Sequence, residues 1–318
     1  MLASSGRRPV IGALGEGLLE VGVHPGLEQD TLARGFGGDA ANVAVMAARL
    51  GADARLLSRV GADAAGRLLL DFWRRAGVDV AGVRVDPDAP TGVYINERDD
   101  RNVHAFSYHR VGSAATGLDA TDVPDEAIAP LDVLHVTGIT LSISPGARAA
   151  AERAVDAARR LGVLVSFGVN HREALRPEVP VLAAMARRAD LVFLSVDDAR
   201  HVLGETAPDA VAAALREARE VVLTAGPRPA TALAGGEAVV VTPPAVALVD
   251  AAGAGDALAG AYLATRLGGG TVADALAAGV AAGALSCRAG GCALSYPSAA
   301  EVAAALAGLA DADRAVAP

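Results

Sequence analysis

Gly253-Ala254-Gly255-Asp256 combines small residues with a carboxylate where an alanine-rich helical pattern begins. Small side chains let a ligand approach the backbone, and the free amides of a helix start point outward with the positive end of the dipole behind them. That is an anion cradle. Asp256, ionised beside those amides, can accept a proton from a substrate hydroxyl while the amides stabilise charge developing on a transferred phosphoryl group. The same aspartate also fits a plain helix-terminus role. A second segment, Gly37-Gly38-Asp39-Ala40-Ala41-Asn42, places two glycines before two hydrogen-bonding side chains at another expected helix start. The glycines allow a hydroxyl group to meet the backbone, and Asp39 and Asn42 can bond it. Read by itself, this segment is an ordinary loop and cap. His24, His104, His109, His135, His171 and His201 show no HxxxH or HExxH spacing, so a structural metal site is not expected. Cys287 and Cys292 make neither a disulfide framework nor a zinc cluster and read as buried free thiols.

Regular elements must hold these groups in place. Apolar, β-branched runs at residues 10–14, 54–60, 133–137, 163–167, 191–194 and 221–224 predict short strands covered on both faces. Residues 40–50, 147–161, 181–189 and 210–218 repeat apolar side chains at three and four, the helical period. Strand and helix alternate, which predicts βαβ units around a mostly parallel sheet. Residues 18–35 and 83–110 break the rhythm. In the second of these, Thr91, Val93 and Ile95, then Val103, Ala105 and Ser107, alternate around turn residues Asp99 and Asp100, as antiparallel strands do. Three further helices are expected at 256–266, 272–286 and 299–309. The expected division is a core of residues 1–15, 36–82 and 111–318 carrying a β-lid of residues 16–35 and 83–110.

The 318 residues are 52% hydrophobic and 20% charged, enough apolar surface for a large core and too much for a disordered chain. A formal charge of −9 repels phosphate backbones and anionic lipid, so nucleic acid and membrane surfaces are not expected partners. The chain contains no lysine, so any anion clamp must use arginine forks. No apolar run reaches the length that spans a bilayer, and residues 1–9 lack a secretion-signal block; the expected location is the cytoplasm.

The run from Asp250 to Ala257 resembles the C-terminal signature of the ribokinase-like (PfkB) family of sugar kinases, D-T-x-G-A-G-D-x-F. Gly37 to Ala44, followed by Leu50-Gly51, is similar to the family's N-terminal motif, a glycine pair leading through an asparagine to Leu-Gly. Both occur in the family's order, and the likeness runs from about Pro9 to Ala305. The resemblance implies a ribokinase-like three-layer α/β sandwich, with a mostly parallel central sheet flanked by helices. A small β-sheet lid would cover the substrate and form a homodimer contact. It implies an ATP- and Mg²⁺-dependent kinase acting on a small sugar or sugar acid. Asp256 would be the catalytic base, Gly253, Ala254 and Gly255 the anion hole, and Gly37, Gly38, Asp39 and Asn42 ligands of the sugar.

Within the family, the chain is most similar to 2-keto-3-deoxygluconate kinases. Glu20 stands where an acidic ligand for sugar hydroxyls is often placed. Tyr94, Tyr108 and Arg110 fall in segments like the lid strands of those enzymes, and Phe167 to Arg172 resembles their F-D-x-N-x-R segment, so Arg172 joins the substrate set. Two guanidinium groups converging on one pocket favour a carboxylate or a second phosphate. On the nucleotide side the resemblance assigns Asn170, Ser195, Thr224, Gly226 and Arg228 beside Gly253 and Gly255, and gives Asp198 magnesium through water. Departures cluster at the reaction centre. Ala251 and Ala252 replace the threonines of the signature, which puts monovalent-cation activation in doubt. Gly168 replaces an aspartate, and Ser195-Val196-Asp197-Asp198 replaces N-x-x-E. Fructose, a deoxy-keto-gluconate and a nucleoside are alternative substrates in the same fold, and a catalytically silent ligand-binding relative is the alternative of another class.

Overall fold

Strands too apolar to leave either face in water must lie between two other layers, and the chain places them there. A computed structural model describes residues 7–23, 32–98 and 104–316. In chain order the strands are β1 (Val10–Leu14), β2 (Leu18–Val23), β3 (Ala33–Gly37), β4 (Asp53–Gly61), β5 (Val83–Asp86), β6 (Val93–Arg98), β7 (His104–His109), β8 (Val133–Thr137), β9 (Leu164–Gly168), β10 (Leu191–Ser195), β11 (Glu220–Ala225), β12 (Arg228–Ala234) and β13 (Glu237–Val241). The helices are α1 (Asp39–Arg49), α2 (Ala64–Arg75), α3 (Asp125–Ile128), α4 (Thr140–Ile143), α5 (Pro145–Leu161), α6 (Val179–Arg188), α7 (Val196–Leu203), α8 (Pro208–Ala214), α9 (Ala254–Leu267), α10 (Val272–Ser286) and α11 (Ala299–Val316).

A nine-stranded sheet runs β13-β12-β11-β10-β9-β8-β1-β4-β5, parallel from β11 to β5, with β12 and β13 as an antiparallel hairpin on one edge. Side chains alternate across it. Ile11, Val133 and Phe193 join one core with α1, α9 and α10, while Leu14, Leu134 and Leu194 join a second with α5 and α6. Helices therefore flank both faces. A smaller sheet of order β3-β2-β6-β7 gathers most of the strands expected in the lid.

The chain moves from β1 to β4 and β5 on one side and returns to β8 on the other. In open α/β sheets, ligands bind beyond the carboxyl ends of the strands at such a reversal. Above it, α1 and α9 meet backbone to backbone. A Cβ on Gly260 of α9 would lie 2.5 Å from the Val43 carbonyl oxygen of α1. This close packing brings the starts of the two helices side by side.

Most expected elements appear with ends displaced by a few residues; the helix expected over 210–218 instead spans Pro208–Ala214. Three features differ in kind. β5, inside the segment read as lid, pairs in parallel with β4 of the large sheet, Val83 opposite Ser58. β2 pairs antiparallel with β3 but parallel with β6, because a long excursion through the core separates them in sequence. The β12–β13 hairpin, turned by Gly235 and Gly236 at positive φ, extends the sheet beyond the expected strands. Val103, Asp99 and Asp100 lie outside the described residues, as does His24. Among the described residues, no helix is long and apolar enough to cross a membrane.

Candidate active site

Gly253 adopts φ +77° and ends the loop before α9. A Cβ there would meet Cys292 Sγ and the Tyr296 hydroxyl, each at 2.7 Å, and L residues disfavour the conformation, so glycine is required twice over. The Tyr296 hydroxyl donates to the Gly253 carbonyl oxygen at 2.7 Å. The Ala254 amide donates to the Ala251 carbonyl at 3.2 Å and is therefore turned into the loop. Those of Gly255 and Asp256 meet no acceptor among the described residues, as the first turn of a helix leaves them.

Asp256 does not cap its helix. Its Oδ2 accepts from Asn42 Nδ2 at 2.8 Å and its Oδ1 from Asn170 Nδ2 at 3.4 Å. Asn170 Nδ2 also donates to Asp39 Oδ2 at 3.1 Å, while Asp39 Oδ1 accepts from the Ala40 amide at 2.8 Å. Asn170, from the loop after β9, thus bridges the two carboxylates, while Asn42, from α1, holds Asp256 alone. Asn170 reaches between them from φ +39°, a backbone region that asparagine tolerates better than most residues.

The atoms crowded around the Asp256 carboxylate strip it of water and push its pKa up to about 7, with the Asp39 charge adding to the rise and Asn42, Arg172 and Asn170 opposing it. The expectation of a carboxylate kept ionised beside helix amides is corrected to one whose ionisation is opposed by desolvation and a like charge. A group poised near neutrality is well matched to general-base work.

The lid supplies the other wall. Tyr94 donates to Glu20 Oε2 at 2.6 Å, and Asn96 donates to Glu20 Oε1 at 2.9 Å and to Asp250 Oδ2 at 3.3 Å. Glu20 is buried in this network. Gly37 lies against the Tyr94 ring, where a Cβ would sit 2.7 Å from Cε1. A Cβ on Gly38, at φ +103°, would lie 2.2 Å from the Glu16 carbonyl oxygen. Tyr108 stacks on Tyr94 with centroids 5.6 Å apart, and the Arg110 guanidinium lies 4.0 Å from the Tyr108 ring centroid. Burial raises the Tyr108 pKa, and the charges of Arg110 and Arg172 oppose that rise. Arg172 is exposed and donates to the His171 carbonyl at 2.9 Å.

Sequence reasoning passed over Glu16. It is 1% exposed, and its Oε1 accepts from Arg110 Nη1 at 2.5 Å. Its position between Gly15 and Gly17, directly after β1, was the available signal. Cys292 is the buried free thiol expected, whereas Cys287 is only partly buried; Cys292 sits at φ +50°, its thiol lies 3.3 Å from Asn42 Nδ2, and burial pushes its pKa up.

The nucleotide-side candidates are more dispersed. Ser195 and Asp198 form the capping box of α7: Ser195 Oγ and N both donate to Asp198 Oδ2, and Oδ1 accepts from the His171 amide at 2.9 Å. Thr224 donates to the Leu194 carbonyl at 3.5 Å, and Gly226 and Arg228 form the turn between β11 and β12. These groups border the same carboxyl edge of the sheet but make no hydrogen bond to the Asp39–Asp256 cluster. Among the described residues, no group of three or more His, Cys, Asp or Glu side chains is arranged to hold a metal ion.

A carboxylate at a helix start, two open amides beside it and a polar pocket walled by the small sheet are groups that a phosphotransferase with an alcohol acceptor would need. The chain belongs to the pfkB family of carbohydrate kinases, whose model matches residues 19–299. It is 35% identical over 245 residues to a 2-dehydro-3-deoxygluconokinase of Thermoproteus tenax, covering 73% of each chain. To a fructokinase of Escherichia coli it is 32% identical over 234 residues, 71% of this chain and 75% of that one. The fold matches that of a fructokinase with bound ATP from Xylella fastidiosa with a TM-score of 0.86 at 24% identity, covering 95% of this chain and 99% of the other.

Proposed function

We propose that this sugar kinase transfers the γ-phosphoryl group of ATP, with Mg²⁺, to a hydroxyl of 2-keto-3-deoxygluconate or a closely related sugar acid. The carrying observation is the Asp256 carboxylate, held by Asn42 and Asn170 beside the open amides of Gly255 and Asp256. Asp256 takes the proton of the acceptor hydroxyl. Asn42 and Asn170 fix which oxygen faces it, Asp39 and the Gly37-Gly38 turn hold neighbouring hydroxyls, and the amides receive charge on the phosphoryl oxygens. Magnesium bound to the phosphates would supply further charge neutralisation. The donor set fits an ion carried mainly by phosphate and water, since one Asp198 oxygen is engaged in capping α7 and the other by the His171 amide, which leaves contact through water. The lid covers the sugar and excludes competing water. Arg172, with guanidinium donors left at the surface near Tyr108 and Asp256, receives the substrate carboxylate. The relatives named as 2-dehydro-3-deoxygluconokinases (the same sugar acid) support this choice over fructose.

Coupled ADP release across the keto-deoxy acid, fructose, ribose and adenosine tests the proposal. The acid is expected to turn over best; a stronger response to fructose would move the assignment to a neutral sugar. Arg172→Ala is expected to raise KM for the acid about tenfold, as loss of a charged hydrogen-bond partner costs about 1.5–3 kcal/mol. Asp256→Asn is expected to lower kcat by roughly 10²–10⁴. Turnover that survives in Asp256→Asn would show that another group takes the proton. No turnover on any sugar, with ligand binding retained, would favour a silent relative.

A further inference from the structure

Arg110 is not waiting empty for an anion. The residue is 7% exposed, and its guanidinium lies over the Tyr108 ring and is already paired with Glu16. The pair is only half made. Glu16 Oε2 and Arg110 Nε, both buried, meet no partner among the described residues, so the two-pronged bond that a guanidinium and a carboxylate can form is absent. Glu16 also stands at the back of the sugar wall, with its carbonyl oxygen against Gly38 at the start of α1.

We propose that Glu16 is a specificity-determining positioning residue, an internal carboxylate that competes with an anionic sugar for Arg110 and thereby sets the preference between acid and neutral substrates. This inference rests on the reading that a sugar acid reaches the Tyr108–Arg110 side of the site. A substrate carboxylate must share Arg110 with Glu16 at close range, where like charges repel through a poorly screened interior. A neutral sugar meets no such competition. The preference is therefore linked to protons. Glu16 is faced by Arg110 from the end of β7 and by Asp39 from α1; burial pushes its pKa up to about 7, Arg110 opposing and Asp39 adding. Its protonation relieves the competition, so acid binding should strengthen as pH falls from 8 to 6.

The test is equilibrium binding without nucleotide of 2-keto-3-deoxygluconate and of fructose at pH 6 and pH 8. It is run in the Asp256→Asn background, so that the other carboxyl titrating in this range is removed. With Glu16 intact, the acid-to-fructose affinity ratio should be several-fold higher at pH 6. Glu16→Gln should raise that ratio about tenfold at pH 8 and abolish its pH dependence, whereas a purely structural role would weaken both ligands together. A pH-independent ratio with Glu16 intact, or a ratio unchanged in folded Glu16→Gln, overturns the proposal. If Glu16→Gln does not fold, the pH dependence with Glu16 intact decides alone. Failure of the substrate reading looks different: the unaltered enzyme then phosphorylates fructose and not the acid, while Glu16→Gln still shifts the binding ratio.

Discussion

At the scale of single residues, the site is organised by what surrounds its carboxylates. Asp256 and Asp39 share the Asn170 amide, and the charge on Asp39 helps hold the Asp256 pKa near 7. A base must be deprotonated to act, so kcat/KM should rise with pH through about 7. Removing the like charge in Asp39→Asn lowers the Asp256 pKa and should move that acid limb to lower pH, measurable as a displaced inflection in the pH profile even where the maximal rate falls. An unmoved limb would assign the inflection to another group. Ala251 and Ala252 offer no hydroxyls to a monovalent cation, so turnover is expected to be the same in potassium and in tetramethylammonium; activation by potassium would place a cation site elsewhere in the loop.

At the scale of elements, the α1–α9 contact does most to set the geometry. Gly260 permits the backbones to touch, and that contact aligns Asn42 with Asp256. Gly260→Val drives a side chain into the Val43 carbonyl and should cost about 1–3 kcal/mol, seen as a lower Tm, together with a fall in kcat larger than in KM. A variant that melts earlier but keeps full kcat would show that Asp256 is positioned without this contact. The elements also show how far sequence reasoning reaches. The parallel strands were legible because β1, β8 and β10 are short, mostly apolar runs, and α5 because its apolar face repeats every turn. The segments of Asp256 and Asn42 stood out as small residues beside polar ones at helix starts, a pattern that a plain cap also fits; only the family resemblance gave them roles, and their pairing is a tertiary fact. β5 was misplaced because four half-exposed residues carry the same alternation in a lid or at a sheet edge. Glu16 escaped because burial and an arginine 94 residues away are tertiary facts.

At the scale of the whole molecule, acid should loosen the fold through His135. Its ring is buried in β8, Nδ1 lies 2.8 Å from Ser166 Oγ, and burial pushes its pKa down to about 3. The unfolded chain, with an ordinary histidine near 6.5, binds the proton more readily, so stability is full above 6.5 and is lost as pH falls toward 3. Between pH 7 and pH 5 the loss is about 2 kcal/mol. Urea unfolding of His135→Leu should lack most of this difference; equal pH dependence in both proteins would assign it to other groups. The pairing of Asn42 with Asp256, 214 positions apart, reaches beyond catalysis to biosynthesis. At about 5–20 residues per second, the ribosome delivers α9 some ten to forty seconds after α1. Throughout that interval, the apolar face of α1 has no α9 to cover it. Until α9 emerges that face must be held against the early strands or otherwise shielded, and Asn42 and Asp256 can meet only afterwards.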